Sequence, residues 1–198
     1  KITREHLYRV FGEFPEKTPL NARITGTLDR EHYKIDKVIF ESQPEYYVTA
    51  NLYIPKGRNF PLPGVLLTCG HADDAKAYDE YQMTCLGLVS KGYVVLIFDP
   101  VGQGERSEYT DPETKKPLVA MSVDQHHYIS RQSFLTGWTL SGLRTWDAIR
   151  ALDYLVSRPE VDTAKLASVG QSGGGQMALL ITAVDKRIKV CAASHPGG

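Results

Sequence analysis

Residues 166 to 184 carry the sequence LASVGQSGGGQMALLITAV, and this stretch decides the fold. It begins as an apolar run typical of a buried parallel strand and ends with apolar residues at helical spacing. Between the two, residues 170 to 174 read GQSGG and fit G-x-S-x-G, the sharp strand-to-helix turn that raises a serine hydroxyl above a sheet. The sequence therefore predicts Ser172 as a nucleophile at the carboxyl edge of an α/β sheet.

The glycines around Ser172 have a physical reason. The turn imposes strained dihedral angles on the serine, and a side chain two residues to either side would collide with the neighbouring strand or helix. The helix predicted to begin at Gly173 points its free backbone amides towards charge that develops beside the serine. We therefore expect the amide of Gly173 to be one oxyanion donor.

Three further stretches are apolar at nearly every position, as parallel strands covered on both faces must be. They are GVLLTCG at 64–70, YVVLIFD at 93–99 and IKVCAAS at 188–194. Helical patterns over 75–91 and 139–157 lie between the strands, the first with Tyr81, Cys85, Leu88 and Val89 on one stripe. The order predicts an α/β-hydrolase fold with a mostly parallel sheet.

The chain before residue 64 has a different character. Residues 22–54 alternate between apolar and polar side chains, and a turn at Pro44 and Glu45 separates two strands of antiparallel type. We therefore predict one α/β-hydrolase domain over residues 1–198. Its N-terminal segment, 1–63, carries antiparallel strands, and residues 64–198 form the first half of the parallel core.

Composition excludes several classes of partner. The chain has 198 residues, 42% of them hydrophobic, with 23 basic and 23 acidic residues and a formal net charge of zero. Evenly mixed charges do not favour nucleic acid or a membrane surface, and no apolar run approaches the roughly 20 residues of a membrane span. We expect a small-molecule or polysaccharide ester as substrate. The three cysteines lie in apolar stretches, which predicts core packing.

The second oxyanion donor should come from the loop after the first core strand, where residues 69–72 read CGHA. We predict the backbone amide of His71, and a side-chain role as the catalytic base stays open. Asp99 is a candidate triad acid, but an acid before a glycine-rich turn more often accepts hydrogen bonds from its own loop. His126 and His127 have no further ligand at metal-binding spacing, so no metal or other cofactor is expected.

A long connection, Glu105 to Trp138, joins a core strand to a helix at the carboxyl edge, and its length favours a role in substrate choice. Its His127, Arg131 and Trp138 offer donors and a stacking face suited to sugar rings. A surface excursion that packs on itself is the alternative.

Five stretches together resemble bacterial acetyl-xylan-esterase-like α/β-hydrolases. They are PLNARITGTLDREHYKIDKVIFES at 19–42, GHADDAKAYDEYQ at 70–82, DPVGQGERSEY at 99–109, RTWDAIRALDYLVSRPEVD at 144–162 and GQSGGGQ at 170–176. The resemblance implies a serine esterase with Ser172 as nucleophile and the amides of His71 and Gly173 as oxyanion donors. It also implies an acetyl or methyl ester on a plant-type polysaccharide, and a periplasmic or secreted location.

The chain departs from that pattern in one respect, because the fold and the family place the triad acid and histidine well beyond the nucleophile. After Ser172 the sequence holds only Asp185, which falls at the opposite edge of the sheet, and His195, which has no acid to orient it. We therefore expect both groups beyond residue 198 and a fold incomplete at its C-terminus.

Three alternatives stay open. A glucuronoyl esterase would normally carry arginine directly after the serine, where this chain has Gly173. A prolyl-oligopeptidase-type peptidase shares the turn but normally adds a propeller domain. A non-catalytic fragment that acts as a binding module is the alternative outside the enzymes.

Overall fold

The structure, a computed structural model, describes residues 2–196 and contains one seven-stranded sheet in the order β1-β2-β3-β5-β4-β6-β7. The strands are β1 Arg23–Asp29, β2 Tyr33–Gln43, β3 Tyr46–Pro55, β4 Leu62–Thr68, β5 Val94–Phe98, β6 Val161–Gln171 and β7 Ile188–Ser194. The helices are α1 Ile2–Phe11, α2 Asp79–Ser90, α3 Val123–Leu135, α4 Leu140–Val156 and α5 Gly173–Val184, with a 3-10 turn at Ala75–Ala77.

The parallel part of the sheet forms as the sequence predicts. Strand β4 pairs in parallel with both β5 and β6, and β6 pairs in parallel with β7. The N-terminal strands β1, β2 and β3 form an antiparallel meander, and β3 joins it to the core by pairing antiparallel with β5. The turn between β2 and β3 has Glu45 at φ 62°, next to the predicted turn residue Pro44.

Helices cover both faces of the core. Helices α4 and α5 pack on one face together with Phe11 of α1, and α2 covers the other face. Helix α2 buries Tyr81, Cys85 and Val89, as the predicted stripe requires. Cys69 and Cys85 are buried and Cys191 is half-buried, so the prediction of core packing holds fully for two of the three. Within residues 2–196 no helix has the length and apolar character needed to cross a bilayer.

Helix α4 differs from the expected pattern of a single inner face. It is buried almost all round from Arg144 to Leu152, because the sheet, α1, α3 and α5 all contact it. Its buried polar residues therefore need partners inside the protein. Arg106, from the segment after β5, supplies one: its Nη1 lies 2.7 Å from Asp147 Oδ2 and 3.1 Å from the carbonyl of Asp99.

The connection 105–138 also differs from a simple loop, because it contains α3. The inner face of α3 is Gln125, His126, Ile129 and Ser133, of which only one residue is aliphatic. A helix that buries polar residues leaves no apolar stripe in the sequence, which explains why periodicity does not indicate it.

Replacing Arg106 by alanine tests the buried pair. The change leaves the Asp147 carboxylate, 2% exposed, without its cation, and a buried pair broken on one side costs roughly 3–5 kcal/mol. We expect urea denaturation to show a loss of that order. Arg131→Ala on the exposed side of α3 is the matched control and should change stability by less than about 0.5 kcal/mol. A loss below about 1 kcal/mol for Arg106→Ala would mean that the pair is not structurally important.

Candidate active site

Ser172 lies between β6 and α5 in the geometry that its motif predicts. Its backbone has φ 54° and ψ −127°, a strained conformation for a residue with a side chain. The flanking glycines have no room for one: an ideal Cβ on Gly174 would lie 2.1 Å from the carbonyl oxygen of Thr68, and one on Gly170 would lie 2.2 Å from that of Gly174. The turn therefore depends on backbone contact among β4, β6 and α5.

The loop after β4 reaches the nucleophile. An ideal Cβ on Gly70 would lie 3.3 Å from Ser172 Cβ, so this loop passes directly beside the serine. The amide of Gly70 donates to the Tyr81 hydroxyl at 2.9 Å. Within residues 2–196 the amides of His71 and Gly173 donate no hydrogen bond; Gly173 follows Ser172 in the chain, and His71 follows Gly70, which lies beside the serine. Two free donors beside a serine are what an oxyanion requires.

Gln103 fixes this loop, a role that the sequence analysis missed. Its side-chain amide donates to the carbonyls of Gly70 at 2.8 Å and Ala72 at 2.7 Å, on either side of His71. Gln103 is fully buried, so the two bonds hold the loop rigidly. No spacing rule identifies a glutamine in one loop as the clamp of another, and only the neighbouring Gly102 and Gly104 marked the segment as a turn.

Asp99 has the structural role that the sequence favours. Its carboxylate accepts hydrogen bonds from Thr49 Oγ1 at 2.6 Å, from the amide of Lys76 at 3.1 Å and from that of Glu105 at 3.2 Å. The Lys76 ammonium bridges the Asp99 and Glu105 carboxylates. These partners satisfy a fully buried acid, which leaves none of it to orient a catalytic histidine.

A hollow of about 500 Å³ opens beside the nucleophile. Its lining is polar and aromatic and comprises His71, Ala72, Asp73, Asp74, Tyr78, Glu80, Tyr81, Gln171 and Ser172. Three of these residues are acidic, and no lysine or arginine is among them. The hollow therefore offers hydrogen-bonding groups and two phenol rings to an uncharged substrate.

His71 lines the hollow, and two further basic side chains, His126 and Arg144, lie near it. The rings of His71 and His126 meet edge to face with centroids 5.2 Å apart, and His126 Nε2 lies 2.8 Å from the carbonyl of Val101. Buried Arg144 reaches the carbonyl of Cys69 at 3.4 Å. Burial, then the charge of Arg144, lowers the pKa of His71 below its usual value and that of His126 to about 3. Both imidazoles are therefore neutral at pH 7.

None of the described histidines is bonded to the nucleophile. The Ser172 hydroxyl has no hydrogen bond within residues 2–196. His195 is exposed, with Nδ1 2.8 Å from Ser194 Oγ. Asp185 lies at the far end of α5, where Arg187 holds its carboxylate. In the described part of the chain, no group of three or more potential metal ligands converges.

The predicted substrate residues lie apart from the hollow's lining. His127 and Arg131 are exposed on α3. Trp138 packs with its ring centroid 6.1 Å from that of Phe14 and lines a separate depression beside residues 13–16. Trp138 is therefore placed to stabilise the packing of the N-terminal segment on the start of α4.

Comparison with known proteins shows the family and the fold of the chain. Residues 16–197 match the acetyl xylan esterase family AXE1. A protein of Bacillus subtilis named "Putative hydrolase YtaP" is 28% identical in an alignment 206 positions long, which covers 95% of this chain and 61% of that protein.

Two solved structures share the fold. Acetyl xylan esterase 1 from Thermoanaerobacterium superposes with a TM-score of 0.71 at 17% identity, over 96% of this chain and 56% of that one. The acetyl xylan esterase from Paenibacillus does so with a TM-score of 0.63 at 24% identity, also over 96% and 56%. The chain thus spans between half and two thirds of the length of these relatives. Because the match extends over nearly all of its residues, the chain belongs to the acetyl xylan esterase (AXE1) family.

Proposed function

We propose that the protein is a serine esterase that removes acetyl groups from carbohydrate, with Ser172 as nucleophile. The observation that carries this proposal is the strained turn at Ser172, beside which the amides of His71 and Gly173 are both free. Preorganised donors at the position where negative charge develops are commonly the largest contribution to acyl-transfer catalysis.

In this mechanism the Ser172 hydroxyl attacks the ester carbonyl, and the carbonyl oxygen becomes an oxyanion held by the two amides. Collapse of the intermediate releases the sugar alcohol and leaves an acyl-enzyme, which water then hydrolyses to acetate. A serine hydroxyl needs a base at neutral pH. Since no described histidine is bonded to Ser172, we propose that the acid and histidine of the triad lie beyond residue 198.

An acetylated neutral sugar suits the hollow best. Asp73, Asp74 and Glu80 would repel a substrate with further carboxylates, whereas hydroxyl groups can donate to them. Membership of the AXE1 family supports the same substrate class. A glucuronoyl ester is the weaker candidate, because Gly173 stands at the position where those enzymes normally carry arginine, and the His71 ring fills the space beside it.

Ser172→Ala should abolish hydrolysis of p-nitrophenyl acetate by the full-length protein, because it removes the proposed attacking group. Ser122→Ala is the matched control: Ser122 has similar dihedral angles, φ 62° and ψ −113°, also at a helix start, but its hydroxyl is buried without a partner. The control should keep most of its activity. Substantial turnover by Ser172→Ala would refute the proposed function.

Dialysis against EDTA should leave the rate of p-nitrophenyl acetate hydrolysis unchanged, because the proposed steps use backbone amides and a serine rather than a Lewis acid. The check is a steady-state rate before and after dialysis. A loss that added zinc or calcium reverses would contradict a mechanism without a metal ion.

His127→Ala should lower kcat/KM for an acetylated xylo-oligosaccharide about fivefold and leave p-nitrophenyl acetate nearly unaffected, as the loss of one sugar hydrogen bond would. Trp138→Ala should instead reduce stability by about 2 kcal/mol, because its ring packs on Phe14. Equal effects of His127→Ala on both substrates would show that this face of α3 does not contact sugar.

A further inference from the structure

Gly173 lacks a side chain in a place where the space is already occupied. An ideal Cβ on Gly173 would lie 2.7 Å from Cε1 and 2.9 Å from Nδ1 of the His71 ring. Real Cβ atoms do not approach other atoms so closely. The imidazole of His71 therefore covers Gly173, the first residue of α5.

The same ring faces the substrate. His71 lines the hollow together with Ser172, and its ring nitrogens make no hydrogen bond within residues 2–196. It is neutral, and no described carboxylate is bonded to it, so it lacks the orienting acid that a triad base requires. We therefore assign a role to the position of the ring rather than to its basicity.

Movement of the ring is restricted on its other side. His126 stands against it in edge contact and is itself held by the carbonyl of Val101. Gln103 fixes the backbone on both sides of His71. His71 is exposed, but its backbone is held on both sides and its ring contacts His126, so the imidazole has a defined position over Gly173.

We propose that the imidazole of His71 limits the size of the acyl group that Ser172 accepts, in addition to the role of its backbone amide. This inference rests on the proposed esterase function and adds a residue that sets the specificity for the acyl group. The ring stands on the residue whose amide holds the oxyanion, so the substituent of the reacting carbonyl must fit between the ring and the serine. A ring in this position leaves room for acetyl and restricts longer chains.

The first experiment compares kcat/KM for p-nitrophenyl acetate and butyrate, which share one leaving group, in the full-length protein. His71→Ala should raise the butyrate-to-acetate ratio about tenfold, since one or two methylenes in a pocket change rates by that order. His71→Phe restores a ring without nitrogen atoms and should keep the ratio of the parent. His32→Ala, an exposed histidine in the turn before β2, is the control and should leave the ratio unchanged.

The second experiment tests the contact itself with a double-mutant cycle. Gly173→Ala should shift the butyrate-to-acetate ratio of the parent, because the added methyl displaces the His71 ring, and should leave that ratio unchanged in the His71→Ala background. Thermal melting of each variant separates loss of folding from loss of fit.

The outcomes distinguish the two proposals. An unchanged butyrate-to-acetate ratio in His71→Ala, or additive effects in the double-mutant cycle, overturns the proposed limit on acyl size. Either result leaves the esterase assignment intact. Loss of all activity in both His71→Ala and His71→Phe, with normal melting, would show that the ring is a catalytic base. That result also overturns the proposed limit on acyl size. Activity that persists in Ser172→Ala would instead remove the esterase assignment itself.

Discussion

The whole site depends on one backbone contact, where the start of α5 lies against the end of β4. Gly174 touches the carbonyl of Thr68, and the Thr68 hydroxyl donates to the carbonyl of Gly174 at 2.7 Å. This contact is closer than any side chain permits. It sets the distance between the nucleophile and the loop after β4, and the side chains of Thr68 and Gln103 hold the two segments in that position.

Residues of the segment after β5 and of α3 hold that arrangement in place. Gln103 holds the loop that carries His71, Arg106 links the segment to Asp147 of α4, and His126 of α3 stands behind the His71 ring. The first two of these residues are buried and make charge-assisted or paired hydrogen bonds, which are stronger inside the protein than at its surface. These residues therefore give structural support to the loop that carries His71.

The parallel strands and the turn at Ser172 could be predicted because each is encoded locally. A strand covered on both faces must be apolar at every position, and a backbone contact must have glycine. The family resemblance of the sequence is confirmed by the match over residues 16–197. Asp99 could be assigned a structural role from its glycine-rich turn alone.

Helices α1 and α3 and the clamp formed by Gln103 were not predicted. The inner face of α3 is mostly polar, so its burial depends on partners that are distant in sequence, such as Val101 for His126. The positions of the predicted sugar contacts also depend on partners that are distant in sequence. Trp138 looks like a stacking platform in the sequence, but its ring packs against Phe14, more than a hundred residues earlier.

His126 also couples α3 to the proton concentration of the surroundings. Its pKa is about 3 in the folded chain because burial and the charge of Arg144 oppose protonation, whereas an unfolded histidine has a value near 6.5. Between these two values the unfolded chain binds a proton that the folded chain does not, so acidification favours unfolding. Above pH 6.5 this penalty is absent. Acid therefore disfavours the buried, neutral position of His126 beside the His71 ring.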